Sequence, residues 1–128
     1  MTAYGVLSRG LLSGSRPGGK GDFRAHLPRF TGENREKNQP LIDALQKLAA
    51  EKGVTASQLA IAWVLARGKR IVPVVGARTR AQLAESLGAL DVELSPADLA
   101  HIEEAIPSGA IAGTRYGEPQ MRMLDSER

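Results

Sequence analysis

Residues 71–80 have the sequence IVPVVGARTR, which carries the clearest signal of the fold. Its first five residues form a continuous apolar run rich in β-branched side chains, a pattern typical of a strand buried on both faces in a parallel sheet. Pro73 weakens this interpretation, because proline donates no hydrogen bond to a neighbouring strand. The turn that starts at Gly76 leads into a predicted helix from about Thr79 to Leu90. A strand followed directly by a helix favours an α/β fold.

A second strand is predicted at the amino terminus, where Thr2 to Leu7 are mostly apolar and include a β-compatible tyrosine and valine. This strand runs into a loop over residues 8–14 that is rich in glycine and serine. The segment from Ser15 to Gln39 shows little periodicity, and we expect a loop far longer than the usual two to six residues. Loops of that length are usually functional or disordered.

Apolar residues at helical spacing predict a further helix that begins at Pro40, since proline suits a first turn, and ends before Gly53. Thr55 and Gln58 have the spacing of a capping box, in which each side chain pairs a backbone N–H at the start of a second helix. Another helix is expected to follow Ser95. The tail over residues 107–128 is expected to be loop.

The order of these elements predicts parallel β/α architecture in one domain that spans residues 1–128, a length that suits a single domain. Two strands alone do not complete such a sheet, because both faces and both edges need neighbours. If isolated, the chain is expected to expose its strands and the helix faces of Leu45, Leu59 and Ile102. That exposure predicts self-association.

Composition narrows the class of protein. Apolar residues make up 42% and charged residues 24%, which is typical of a soluble globular chain, and the absence of cysteine excludes thiolate chemistry and Cys-based metal sites. His26 and His101 have no companion at ligand spacing, so we expect surface histidines and no metal site. Without a leader-like segment or a long apolar run, a cytoplasmic protein with no membrane contact is expected. The net charge of +3 is too small to predict nucleic-acid binding.

The turn over residues 76–80 is the strongest candidate binding site. It follows a strand and opens a helix, so backbone N–H groups and the positive end of a helix dipole face one spot. Arg78 and Arg80 add forked donors that suit a phosphate monoester. A solvated helix start with two surface arginines explains the same residues equally well.

Other polar and aromatic positions have two interpretations each. Gln82 and Glu85 share a helix face and suit a flat polar group such as adenine, although exposed polar positions are the simpler explanation. Tyr4 would stack on an aromatic ring or pack half-buried. Trp63 lies at a helical spacing that predicts a residue of the core.

Four segments together resemble the aldo-keto reductase family. Residues 3–14, AYGVLSRGLLSG, resemble its seventh strand, and residues 54–65, VTASQLAIAWVL, resemble a helix motif of the family. Residues 71–78, IVPVVGAR, are similar to its eighth strand and phosphate turn, and residues 112–116, AGTRY, match the tail of some branches. The resemblance covers nearly the whole chain.

The resemblance implies an α/β fold, specifically the C-terminal fragment of a (β/α)8 TIM barrel with about two parallel strands and their helices. It also implies NADP(H) as cofactor. Tyr4 would stack on the nicotinamide, Arg78 would face the adenosine 2′-phosphate, and Ser86 departs from the family's usual asparagine. The implied cofactor-binding residues are Tyr4, Gly5, Val6, Leu7, Ser8, Ser13, Gly76, Arg78, Gln82, Glu85 and Ser86.

The family's catalytic tyrosine, lysine, histidine and aspartate have no counterpart among these residues, and Tyr116 in the tail is no substitute. The expectation is therefore the C-terminal portion of an NADP(H)-dependent oxidoreductase, which transfers hydride between NADPH and a carbonyl or alcohol and is inactive on its own. Two alternatives are one half of a split barrel completed by a separate N-terminal chain, and a non-catalytic binding fragment.

Overall fold

The computed structural model describes residues 1–124 and contains two short strands, five α-helices and several 3-10 turns. In chain order the strands and α-helices are β1 Thr2–Tyr4, α1 Gly32–Glu51, α2 Ala56–Ala66, β2 Val72–Val74, α3 Arg80–Leu87, α4 Pro96–Ala105 and α5 Glu118–Met121. The 3-10 turns are Ser8–Gly10, Phe23–His26, Pro28–Phe30 and Gly88–Asp91. Among the described residues no helix is both long and apolar enough to cross a membrane.

The two strands pair in parallel, with Ala3 opposite Pro73 at the centre of the register. The expectation that β2 is buried on both faces is wrong for this chain, since 61% of Val72 and 51% of Val74 is exposed. No other strand covers this sheet among the residues described, so the valines face outward. Pro73 is tolerated because a strand at a sheet edge does not need every N–H for pairing.

The longest helix begins earlier than the sequence predicts. α1 starts at Gly32, so Pro40 lies inside the helix and the predicted loop over residues 15–39 ends eight positions too late. Packing explains the earlier start, because Asn38 in the added segment is 1% exposed. The exposed ion pair of 3.4 Å between Lys37 and Glu33, one helical turn apart, adds little. Pro40 is exposed, where the loss of one backbone hydrogen bond is offset most easily by water.

Three helices enclose the main core. α1, α2 and α4 contribute its buried residues, which are Leu45, Ala49, Ala56, Leu59, Ala60 and Ile102. The expected exposure of Leu45, Leu59 and Ile102 is therefore wrong, and Leu59 is 0% exposed. The small alanines let the helices approach one another closely and enclose the core. Trp63 packs on the edge of this core, as its spacing predicts.

A smaller cluster attaches the long loop to α1. Leu11, Leu27 and Phe30 come from the loop, and Ile42 comes from the helix. Because all four side chains are buried, the segment between β1 and α1 is folded onto the protein despite its lack of periodic sequence.

Capping boxes fix the starts of three helices. The box at Thr55 and the helix start at Ser95 are confirmed. Ser95 also forms a box with Asp98, and a third box at Thr79, paired with Gln82, begins α3. At α4, Lys52 Nζ lies 2.8 Å from the Asp98 carboxylate, and this hydrogen bond helps hold the pKa of Asp98 at about 2. The same ion pair ties α4 to the end of α1.

The tail after α4 is irregular, as expected, apart from the short helix α5 within it. The predicted tail over residues 107–128 extends beyond the described residues, and its last four positions lie outside them.

If the core between the helices is formed in this chain alone, truncating its most buried side chain, Leu59, will destabilise the chain. We expect Leu59→Ala to lower the free energy of unfolding by about 2 to 5 kcal/mol, the usual cost of a core cavity. Leu83→Ala on the exposed face of α3 is the matched control and should change it by less than about 0.5 kcal/mol. Urea unfolding followed by circular dichroism measures both. Equal effects would show that the core is not formed.

Candidate functional site

A groove of about 1190 Å³ opens at the carboxyl ends of β1 and β2. Parallel strands place these ends at one edge of the sheet, so the loop after β1 and the turn after β2 face each other across the groove. The residues that the sequence singled out and that line the groove are Gly5, Val6, Leu7, Ser13, Gly76, Arg78, Gln82, Glu85 and Ser86. The chain therefore brings together candidate residues that are about 70 positions apart in sequence.

Tyr4 and Ser8 do not line the groove itself. Tyr4 is exposed at the end of β1, and the Arg115 guanidinium lies 5.7 Å from the centre of its ring. The hydroxyl of Ser8 faces away toward Arg29 Nη1, which donates a hydrogen bond of 2.8 Å to it. Both residues therefore contact the rest of the protein beside the groove.

The loop after β1 is held in an unusual backbone conformation. Ser8 and Arg9 have φ values of 46° and 58°, in the left-handed region that costs a non-glycine residue roughly 1 to 2 kcal/mol. The turn leaves the backbone N–H groups of Val6, Leu7 and Arg9 without a hydrogen-bond partner anywhere in residues 1–124. Unpaired N–H groups beside an open groove are suited to an anion.

Arg24 organises the far side of this loop. Its guanidinium binds the Asp22 carboxylate at 2.7 Å and donates to the Arg9 carbonyl at 3.1 Å and to Ser15 Oγ at 3.0 Å. The hydrogen bonds from Arg24 hold the pKa of the Asp22 carboxyl well below its usual range, and Asp22 in turn raises that of Arg24. Both residues line the groove. Neither residue is singled out by the sequence, because both lie in a segment with no periodic pattern.

Arg9 is sandwiched by aromatic rings. Its guanidinium lies 4.8 Å from the ring centre of Phe23 and 4.5 Å from that of Tyr116. Phe23 belongs to the loop and Tyr116 to the tail, so Arg9 joins two irregular segments through cation–π contacts.

The turn after β2 forms the opposite wall. The Gln82 side-chain oxygen accepts hydrogen bonds from the backbone N–H of Arg78 at 2.8 Å and of Thr79 at 3.2 Å. That oxygen is therefore used in capping α3, and only its amide nitrogen remains to meet a ligand. The Arg78 side chain is exposed along the groove, whereas Arg80 does not line it.

α3 is fixed against α2 by a long-range hydrogen bond. Gln58 Nε2 donates to the Glu85 carbonyl at 3.0 Å, so the same glutamine that caps α2 also positions the helix that carries Glu85 and Ser86. The groove wall on α3 is thus attached to the helical core through α2.

Outside the groove, His26 and His101 are exposed, as the sequence predicts. Trp63 has a buried Nε1 that lacks a partner within the described part of the chain. Its ring packs on the helical core, and the Arg67 guanidinium lies 5.1 Å from the ring centre. Trp63 does not line the groove.

Comparison with known proteins identifies similar sequences along most of the chain. The profile described as Aldo/keto reductase family matches residues 1–107. The protein named Aldo-keto reductase yakc [NADP(+)] of Schizosaccharomyces pombe is 38% identical over 120 residues, 91% of this chain and 35% of that protein. Probable aldo-keto reductase 1 of Glycine max is 40% identical over 122 residues, 88% of this chain and 34% of that protein. The chain spans about a third of the length of these curated relatives.

Close packing of the tail on the loop can be tested at a glycine. Gly113 has φ +86°, and a Cβ there would meet the Pro28 carbonyl at 2.9 Å, whereas Gly109 has φ +80° and open space around it. Both Gly→Ala changes incur the left-handed cost of about 1 to 2 kcal/mol, but Gly113→Ala adds a backbone clash. We expect it to be the more destabilising of the two by at least about 1 kcal/mol in urea unfolding. Equal losses would contradict the docked tail.

Proposed function

Because this chain belongs to the aldo/keto reductase family, we propose that its groove binds NADP(H) and that residues 1–128 form the C-terminal portion of a (β/α)8 barrel oxidoreductase. The proposed reaction is hydride transfer between NADPH and a carbonyl or alcohol substrate. The observation that carries this proposal is the convergence of the loop after β1 and the Arg78 turn on one open groove.

The two walls of the groove suit different parts of a dinucleotide. On one wall the unpaired N–H groups of Val6, Leu7 and Arg9 would donate to the pyrophosphate. On the other wall Arg78 would bind the adenosine 2′-phosphate, since a guanidinium forms forked, charge-assisted hydrogen bonds with a phosphate monoester. The residues present therefore fit NADP(+), the cofactor in the name of the Schizosaccharomyces pombe relative.

The remaining positions have narrower roles. Tyr4, exposed at the end of β1, would stack on the nicotinamide, and Glu85 and Ser86 would border the adenine. Gln82 would reach adenine only through its amide nitrogen, because its oxygen caps α3. When bound, the nicotinamide supplies the hydride, and the residues of this chain orient it.

Proton transfer would depend on residues outside this chain. The tyrosine, lysine, histidine and aspartate that assist hydride transfer in this family have no counterparts here, so we propose that the 128 residues alone have no turnover. The rest of the barrel would supply them, either from the same polypeptide or from a separate chain. The relatives, about three times as long as the matched segment, have room for it.

A second candidate, a non-catalytic binding unit, is favoured by one observation. The core between α1, α2 and α4 is already closed in this chain. Several of the apolar side chains that remain exposed lie instead on the sheet and on α3, at Val72, Val74, Leu83 and Leu87. This surface is where the rest of a barrel would pack, or where copies would associate.

Cofactor binding tests the proposal directly. We expect the purified chain to enhance NADPH fluorescence with saturation and to bind NADH more weakly. Arg78→Ala should weaken NADPH binding by roughly tenfold or more, the value of a charged hydrogen bond, and leave NADH binding unchanged.

Arg80→Ala is the matched control, since it removes the same charge two residues away and off the groove. Its NADPH affinity should match the wild type. A folded chain that shows no binding, or one in which both arginine variants behave alike, would contradict the proposed site.

A further inference from the structure

The tail contacts the loop beside the groove at several points. The Gly113 carbonyl accepts a hydrogen bond of 3.1 Å from Arg29 Nε, the Tyr116 ring lies under Arg9, and Arg115 lies beside Tyr4. The segment over residues 112–116 therefore lies against the same loop that forms one wall of the proposed cofactor site.

Arg29 is the residue that joins the two segments. Its Nη1 group donates a hydrogen bond of 2.8 Å to Ser8 Oγ, and its Nε group donates one to the Gly113 carbonyl in the tail. One half-buried guanidinium thus binds an atom of the loop and an atom of the tail. A planar guanidinium holds two acceptors at a fixed angle, which a flexible ammonium does not.

The backbone at Arg29 is fixed in turn by a buried amide. Asn38, 1% exposed on α1, donates through Nδ2 to the Arg29 carbonyl at 3.2 Å and to the Ala112 carbonyl at 3.0 Å. Its Oδ1 accepts from the Ala112 N–H at 2.7 Å. A fully paired amide in the interior keeps one arrangement, because any other leaves a polar group buried without a partner. α1 therefore positions Arg29 and the tail together.

The loop needs this support because of its strain. Consecutive left-handed backbone at Ser8 and Arg9 persists only where surrounding contacts compensate for it. Arg29 provides such a contact at Ser8, and Arg24 provides one at the Arg9 carbonyl. The same conformation leaves the Leu7 and Arg9 N–H groups unpaired in residues 1–124.

We propose that Arg29 is a positioning residue for the pyrophosphate side of the site, acting through Ser8 and oriented by the tail carbonyl of Gly113. This inference rests on the proposed binding of NADP(H). Loss of Arg29 leaves the Ser8 turn free to relax toward right-handed backbone, which removes the arrangement of N–H groups that receives the phosphates. The Arg78 wall, which belongs to the turn after β2 and to α3, is unaffected.

A pair of ligands separates this role from general stabilisation. NADPH spans both walls, whereas adenosine 2′-monophosphate carries only the 2′-phosphate and the adenosine that the Arg78 wall would hold. We expect Arg29→Met to weaken NADPH binding about tenfold, as for loss of one charged hydrogen bond, and to change the affinity for adenosine 2′-monophosphate by less than about twofold. Fluorescence measures the first and NMR chemical-shift titration the second.

Two further variants complete the experiment. Arg29→Lys keeps the positive charge but loses the planar pair of donors, so its NADPH affinity should lie between that of Arg29→Met and the wild type. If Arg29→Met does not fold, Arg29→Lys takes its place in the comparison. Arg35→Met removes a charge from the exposed surface of α1 and should bind both ligands as the wild type does.

The outcomes are distinct. Equal weakening of both ligands by the Arg29 variants, or no weakening of either, would overturn the positioning role while the wild-type titrations uphold the proposed function. A folded wild-type chain that binds neither ligand would overturn both, since the inference rests on that function. Selective loss of NADPH affinity, graded from lysine to methionine, is the result that the contacts predict.

Discussion

Parallel pairing of β1 and β2 is the constraint on which the rest of the structure depends. Parallel strands need a crossover, and here α1 and α2 provide it after a long loop. The pairing also places the carboxyl ends of both strands at one edge, so the loop after β1 and the turn after β2 meet there. Burial of Leu45 and Leu59 between the helices stabilises the crossover. The groove depends on this crossover, because it holds the two strands in parallel.

The loop before α1 and the tail after α4 are held on the protein by side-chain hydrogen bonds and not by pairing with strands. Polar side chains with several partners hold the loop and the tail on the helices: Arg24 within the loop, Arg29 between loop and tail, and Asn38 on α1. Each of them makes hydrogen bonds to backbone carbonyls, which would otherwise lie unpaired on a poorly solvated surface. The strained turn at Ser8 and Arg9 is tolerable because these contacts surround it.

Features with a local cause were predictable from the sequence. The capping boxes at Thr55 and Ser95 depend on residues three apart, and the glycine-rich loop and the Arg78 turn follow directly from their strands. The start of α1 was not predictable from Pro40, because the preceding turn is stabilised by packing of the loop. The tail partners of Asn38 and Arg29 lie 74 and 84 positions away, beyond any spacing rule. The sequence leaves Gln82 open between adenine contact and an exposed polar position, and its spacing of three from Thr79 is the local signal for the box that uses its oxygen to cap α3.

In the proposed complex, both walls of the groove bind one dinucleotide. Hydrogen–deuterium exchange of the chain with and without saturating NADPH tests it most directly, because protection reports which backbone amides become ordered. We expect slower exchange on NADPH addition in two separate segments, residues 5–15 and 76–86, with no change in α4. Protection confined to α4 or the tail, or none in either wall despite saturable binding, would show that the cofactor binds elsewhere.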